Sequence, residues 1–403
     1  MKDAWNAMMA KVTRLTQSGR LREATAAIQR ALRGGAPATP RASGPARREA
    51  DPQVIDAVAR VVSMDGALDD GDVLLRPPPP QTKTRERPVD FDTVVETPDV
   101  ELDGEFVTGS YTNSSGRRDY KLYIPSGPHT QPLPLIVMLH GCKQNPDDFA
   151  AGTRMNQLAE RERFFVLYPA QTKSANGMGC WNWFRGRNQQ RDLGEPSIIA
   201  GMTHEIIASY PIDARHVHVA GLSAGGAMAA IMASTYPELY AAVGVHSGLP
   251  HGAAHDVMSA FAAMRDGPSA ARARAADAGE QGEQRALPTI VFHGDQDATV
   301  HPGNGDHVIA LATAAPADTD IIGAVAADAS FTVERGQMAG GHAYSRTIYR
   351  DAHGRSTGVE HWVVHGAGHA WSGGSAKGSY TDPKGPDASR EMLRFFREHP
   401  LPT

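Results

Sequence analysis

Residues 216–226 constrain this chain more than any other stretch. They read His216-Val217-His218-Val219-Ala220-Gly221-Leu222-Ser223-Ala224-Gly225-Gly226. A short β-branched run enters a Gly-x-Ser-x-Gly turn, and a helical run from Ala227 to Ser234 leaves it. Strand, sharp turn and helix in that order hold a serine exposed as a nucleophile. The turn is so tight that positions beside the serine must be small. Gly221 and Gly225 meet that demand, and Ala224 and Gly226 extend it. Ser223 is the expected nucleophile, with a tight structural turn as the alternative.

At 403 residues the chain is long enough for one large core or two domains. Its 41% hydrophobic and 21% charged residues are ordinary for a soluble globular protein. A formal net charge of -5 gives no basic footprint, so no nucleic-acid partner is expected. No apolar run approaches about 20 residues, so no membrane span is expected. Met1 to Arg20 is interrupted by Lys11, Arg14 and Gln17 and lacks the apolar stretch of a secretory signal. The simplest expectation is therefore a cytoplasmic protein. Two cysteines, Cys142 and Cys180, are too few for a cysteine-rich zinc site, and no metal or cofactor is expected.

The chain divides into three parts. Trp5, Met8, Met9, Val12 and Leu15 fall at helical spacing, Ser18-Gly19 breaks the pattern, and Leu21, Ala24, Ile28, Ala31 and Leu32 form a second stripe. Residues 1–34 thus read as a helical hairpin, either packed on its own catalytic domain or serving self-association or docking. Residues 35–103 are rich in Pro, Ala and Arg, include Pro77-Pro78-Pro79-Pro80, and read as a linker. Residues 104–403 read as one compact domain. Phe106–Tyr111 and Tyr120–Ile124 flank a turn at Asn113–Gly116. Leu135–Leu139, Phe164–Tyr168, Val217–Ala220, Ala242–Val245, Thr289–Phe292 and His361–Val364 are strand candidates separated by helical patterns. Strands without polar alternation, with helices between them, imply a mainly parallel sheet covered on both faces. Gly267–Arg285 is low in complexity and reads as a surface insertion, and Asp387–His399 as a last amphipathic helix.

A serine nucleophile needs a base, and the base needs an orienting carboxylate. In an α/β-hydrolase these follow in the order serine, acid, histidine, at the ends of later strands. The run Thr289 to Phe292 leads into His293-Gly294-Asp295-Gln296-Asp297. Asp297, past the turn, is the expected acid. Asp295 is the rival, expected instead to hold the loop by accepting backbone N–H groups. The run Trp362-Val363-Val364 leads into His365-Gly366-Ala367-Gly368-His369-Ala370-Trp371. His369, on the Gly-rich turn, is the expected base, and His365, at the strand end, the rival. An oxyanion hole needs two backbone donors. Ala224, directly after the nucleophile, supplies one. Cys142, in the His140-Gly141-Cys142 loop after Leu135–Leu139, supplies the other. Trp181 and Trp183 belong to an aromatic cluster that either lines a cleft or packs a long loop on the core.

These blocks together resemble the catalytic domain of the polyhydroxybutyrate depolymerase family of esterases. The resemblance rests on His140-Gly-Cys-Lys-Gln, Gly152-Thr-Arg-Met-Asn, Cys180-Trp-Asn-Trp-Phe, Gly221-Leu-Ser-Ala-Gly-Gly-Ala-Met, Gly244-Val-His-Ser-Gly-Leu-Pro, His293-Gly-Asp-Gln-Asp and Gly366-Ala-Gly-His-Ala-Trp-Ser-Gly-Gly. It covers roughly Gly104 to the C-terminus. Feruloyl and acetylxylan esterases share the fold and several blocks. The resemblance implies hydrolysis of poly- or oligo-(R)-3-hydroxybutyrate esters through an acyl-serine. It places the catalytic roles on Ser223, Asp297 and His369 and the oxyanion donors on Cys142 and Ala224; Trp181, Trp183 and Trp371 are the expected substrate contacts. Cys142 and Cys180 lie in blocks that border the cleft, which favours a bridge between them; two reduced thiols are the alternative. Secreted members of the family carry a signal peptide and a polymer-adsorbing domain. A hairpin and linker stand at the front here, which shifts the expectation toward oligomers, amorphous intracellular polymer or small esters. An extracellular location is the alternative, as are feruloyl or acetylxylan ester hydrolysis, acyl transfer and, more remotely, a non-catalytic scaffold.

Overall fold

The computed structural model describes residues 102–267, 286–313, 330–350 and 356–402. The expected hairpin at 1–34, the linker up to residue 101 and residues 268–285 of the expected insertion lie outside the described residues.

Each apolar run named above forms a strand. In chain order the elements are β1 (Glu105–Asn113), β2 (Gly116–Ile124), β3 (Leu133–Leu139), α1 (Pro146–Thr153), α2 (Met155–Glu162), β4 (Phe165–Pro169), α3 (Gly194–Ser209), β5 (Ile212–Leu222), α4 (Ala224–Thr235), β6 (Ala242–His246), α5 (Val257–Asp266), β7 (Thr289–Gly294), α6 (Gly303–Thr313), β8 (Ser330–Gln337), β9 (Ala343–Arg350), β10 (Ser356–Val364), β11 (Trp371–Ser372), β12 (Thr381–Asp382) and α7 (Ala388–Glu398). Among the described residues ten strands form one sheet in the order β1-β2-β4-β3-β5-β6-β7-β10-β9-β8. From β4 to β10 the pairing is parallel, and at both margins it is antiparallel. Parallel neighbours require crossovers, and helices in the crossovers cover the sheet. This is why β4, β6 and β7 are buried at every position. The marginal β8 and β9, mostly half-exposed, carry polar residues instead.

Side chains of alternate strand residues feed two cores. On one face Leu135, Val137, Val217, Val219 and Val245 pack against Ile199 and Met202 of α3 and Met228 and Ile231 of α4. On the other face Ile136, Met138, Val166, Ile290 and Phe292 pack against Phe149 of α1, Leu158 of α2 and Met392, Phe395 and Phe396 of α7. Nearly every residue of α4 is buried, and its many alanines and glycines let it lie close against the sheet. Because β5, β6, β7 and β10 are parallel neighbours, their C-terminal ends share one edge, where binding crevices of such sheets form.

Several histidines are built into this interior. His218 of β5 stacks on Phe396 at 4.7 Å and 3°. Burial pushes the imidazoles of His218 and His246 down to about 3 and that of His140 to about 4. They stay neutral in the fold while the unfolded chain takes up protons below about pH 6.5, so stability falls as pH falls. By pH 5 each should cost about 2 kcal/mol relative to neutral pH. His218→Phe keeps the stack and removes a ring nitrogen, Nδ1, that has no partner among the described residues. The loss of unfolding free energy between pH 7.5 and pH 5, measured by urea denaturation, should shrink by about 2 kcal/mol in this variant. An unchanged loss would refute the assignment.

Candidate active site

β5 ends at Leu222 and α4 begins at Ala224, so Ser223 alone turns the chain. Its backbone sits at φ 59° and ψ -119°. Non-glycine residues in such regions store about 1–3 kcal/mol of strain and need support from their surroundings. Here the Ser223 N–H donates to the His246 carbonyl at 2.9 Å, and the Ser223 carbonyl accepts from Ala227 N–H at 2.9 Å. The two flanking glycines answer to close approach. A side chain on Gly225 would collide with the Leu139 carbonyl of β3, and one on Gly221 with the backbone of Gly225.

Asp297 follows β7 and its side chain is fully buried. One carboxylate oxygen, Oδ1, accepts from the N–H groups of Thr299 and Val300 at 2.9 and 2.8 Å. The other, Oδ2, lies 2.7 Å from His369 Nδ1 and 3.4 Å from His293 Nε2. Burial alone would raise the carboxyl. The hydrogen bonds from His293, His369 and Val300, together with the His369 charge, win and hold it well below the usual carboxylate range. A carboxylate facing Nδ1 places the His369 proton there and leaves Nε2 with its lone pair. His293 has no counterpart in the sequence reading. It stood in the block that named Asp297, but its ring contact depends on the turn through Val300, whose carbonyl also faces Nε2 at 2.9 Å.

The rivals form a second chain. His365 Nδ1 lies 2.9 Å from Asp295 Oδ2, and its Nε2 lies 2.8 Å from Ser345 Oγ. The other Asp295 oxygen accepts from Gly366 N–H at 2.8 Å, so Asp295 ties the loop after β7 to the loop after β10. Ser345 lies inside β9, with Arg335 of β8 and Val363 of β10 as its neighbours. It has neither an elbow nor a helix N-terminus beside it. Serine, histidine and aspartate in contact do not by themselves make a hydrolytic site, which also needs N–H donors placed for a developing oxyanion.

The loop after β3 does approach the elbow. An added side chain on Gly141 would lie 3.6 Å from Ser223 Cβ. Gln144 shapes this loop: its Oε1 accepts from Gly141 N–H at 2.9 Å and its Nε2 donates to Asp148 Oδ2 and the Ser379 carbonyl. Ala224 is the first residue of α4, so its N–H has no helical partner. Cys142 N–H donates to no protein acceptor among the described residues. One expected oxyanion donor thus lies in the loop after β3, next to Gly141, and the other at the first residue of α4, directly after Ser223.

Cys142 and Cys180 form a disulfide. Beyond it the tryptophans depart from expectation. Trp181, Trp183 and Trp371 are 0%, 5% and 1% exposed, so their rings pack the interior and offer no face to a substrate. Trp181 and Trp183 flank Asn182, whose backbone and side chain both donate to Glu195 at the start of α3, a buried carboxylate that also accepts from Arg118 and Gln171; Trp371 packs instead on Phe149 and His246. Among the described residues no group of three or more His, Cys, Asp or Glu is placed to hold a metal, and no helix is long and apolar enough to cross a membrane.

The family described as Esterase PHB depolymerase matches residues 118–335, more than half of the chain. Poly(3-hydroxyalkanoate) depolymerase C of Paucimonas lemoignei is 35% identical over 202 residues, covering 49% of this chain and 48% of that protein. Feruloyl esterase B of Neurospora crassa is 35% identical over 146 residues, 36% of this chain and 48% of its own length. The chain thus spans about half the length of these curated relatives. Among solved structures, an acetyl xylan esterase from Aspergillus awamori superposes with a TM-score of 0.53 at 22% identity, covering 72% of this chain and 99% of its own. That likeness speaks to the α/β-hydrolase fold.

The bridge has a measurable consequence. It closes a loop of separation 38, for which chain entropy predicts stabilisation of about 2–4 kcal/mol. Native protein should titrate with no free thiol, and Cys180→Ser should lose stability by about that amount in chemical denaturation. Two titratable thiols in the native protein would contradict the bridge.

Proposed function

The chain belongs to the Esterase PHB depolymerase family, and on that premise we propose that it is a serine ester hydrolase with Ser223 as nucleophile, His369 as base and Asp297 as the orienting acid. One observation carries the reading: a serine at positive φ between β5 and α4 shares a sheet edge with a histidine–aspartate pair at 2.7 Å. In the reaction Ser223 Oγ attacks the ester carbonyl and its proton passes to His369 Nε2. Asp297 holds the imidazolium, and the N–H groups of Cys142 and Ala224 receive the oxyanion. Collapse of the tetrahedral intermediate expels the alcohol with the proton from His369. Water, activated by the same imidazole, then releases the acid and restores Ser223.

The substrate proposed is a poly- or oligo-(R)-3-hydroxybutyrate ester, supported by the family and by the likeness to the Paucimonas depolymerase. The second reading is an acetylxylan or feruloyl ester, supported by the fungal relatives. The Cys142–Cys180 bridge favours an oxidising compartment, and with it the extracellular location over the cytoplasmic one. The division into a hairpin at 1–34, a linker at 35–103 and a catalytic domain at 104–403 is part of the proposal.

Ser223→Ala should lower kcat on a short p-nitrophenyl ester by at least about 10³-fold with the fold intact. His369→Ala should be far more damaging than His365→Ala; the reverse would move the base to His365. A fluorophosphonate should label Ser223 and leave Ser345 untouched. Side-by-side turnover of hydroxybutyrate oligomers, acetylated xylan and methyl ferulate decides the substrate, and preference for either plant-polymer ester would displace the first reading.

A further inference from the structure

The 365–372 segment that carries His369 is fastened at both ends. At its front, Asp295 accepts from Gly366 N–H and from His365. At its rear, the buried imidazole of His246 accepts from Ser372 N–H at 2.9 Å. The Trp371 indole lies against the same imidazole, 5.0 Å between centroids and 25° from parallel. Phe292 of β7 stacks on it too, at 5.7 Å and 13°. His246 is the last residue of β6, and its backbone carbonyl is the acceptor that holds Ser223 N–H at the elbow. One residue therefore touches both the nucleophile's backbone and the loop that delivers the base.

We infer that His246 is a positioning residue for the reaction: its carbonyl sets the elbow, and its Nε2 sets the distance from the elbow to the His369 loop. The inference rests on the ester-hydrolase reading above. The backbone N–H of Ser372 can only donate, so Nε2 carries no proton and the ring's one proton sits on Nδ1, facing Ser247 Oγ at 3.3 Å. The charged or titratable groups that face the ring are His293, His369 and Asp297. Full burial keeps the ring neutral, with its protonation pushed down to about 3. The acceptor thus persists over any pH at which the enzyme would work. Stacking between Phe292 and Trp371 fixes the ring plane, and the Ser372 bond fixes the loop to it. The stack is packing that any aromatic ring supplies; the acceptor belongs to histidine.

Three variants separate these contributions. His246→Phe keeps a ring in the stack and leaves Ser372 N–H without its acceptor. His246→Gln and His246→Met match one another in length and differ at the acceptor. All three keep the backbone carbonyl, so the elbow bond is constant across the series. On a short soluble ester, kcat should fall about 10- to 100-fold in the Phe and Met variants, because a small misplacement of the base is costly. KM should stay within about threefold of wild type in every variant, and kcat in the Gln variant within about threefold as well. Thermal midpoints measured alongside separate a displaced base from an unfolded one. If His246→Phe does not fold, the Gln and Met pair carries the comparison. Wild-type kcat in folded Phe or Met variants overturns the inference, as does a Gln variant as slow as the Met variant. Ser223→Ala in the same assay identifies which idea has failed. If it remains active, the ester-hydrolase reading falls and this inference with it. If it is inactive while the His246 variants are fast, only the positioning role falls.

Discussion

A single backbone hydrogen bond, from Ser223 N–H to the His246 carbonyl, lets a serine occupy a conformation that few side-chain-bearing residues adopt. Much of the surrounding architecture serves that bond. It requires β6 to lie beside β5 in register, with Leu222 opposite His246. That parallel pairing is connected through α4, the small-residue helix that leaves the elbow. Gly225 against Leu139 fixes how near α4 comes to β3. Stability of the sheet and placement of the serine are thus one problem, solved at the same place. Strain held by an over-determined frame is what keeps a reactive group poised.

Electrostatics at the site follow from the same frame. Asp297 is buried yet ionised because three donors converge on its two oxygens, two backbone N–H groups and the His369 ring, with His293 Nε2 a further 3.4 Å from Oδ2. A buried carboxylate without such partners would take up a proton and cease to orient an imidazole. The second histidine–aspartate pair, His365 and Asp295, has similar chemistry with a different consequence: it joins two loops.

The central strands, the turn at Ser223 and the strand-end loops that bring Asp297 to His369 were legible because each leaves a local signature: an apolar run, a glycine pair, a turn after a strand. β8 and β9 were not, because marginal antiparallel strands such as Ser330–Gln337 mix charge and apolar residues without a continuous run. Whether Trp181 and Trp183 line a cleft or pack the core stayed open, because a sequence shows an aromatic cluster but not the buried Glu195 that holds Asn182 between them. Gln144, His246 and His293 escaped notice for a related reason. Their work consists of contacts between segments distant in the chain, and no spacing rule encodes those. Residues that act alone are visible in a string of letters; residues that hold others in place become visible in three dimensions.

The disulfide also bears on how the chain reaches this state. β3 and β4 pair in parallel, which obliges the chain between them to leave the sheet and return through α1 and α2. Cys142 precedes that excursion and Cys180 follows it, so the bridge encircles the whole crossover. An oxidised chain that has lost its fold keeps this loop closed, and the two strands are never far from each other. Closing a loop is part of the entropic barrier to forming non-local sheet contacts. Here that part is removed in advance for one of the sheet's six parallel strands. The oxidised chain can therefore assemble β3 and β4 as a local unit, on which β5 and its elbow are then laid down.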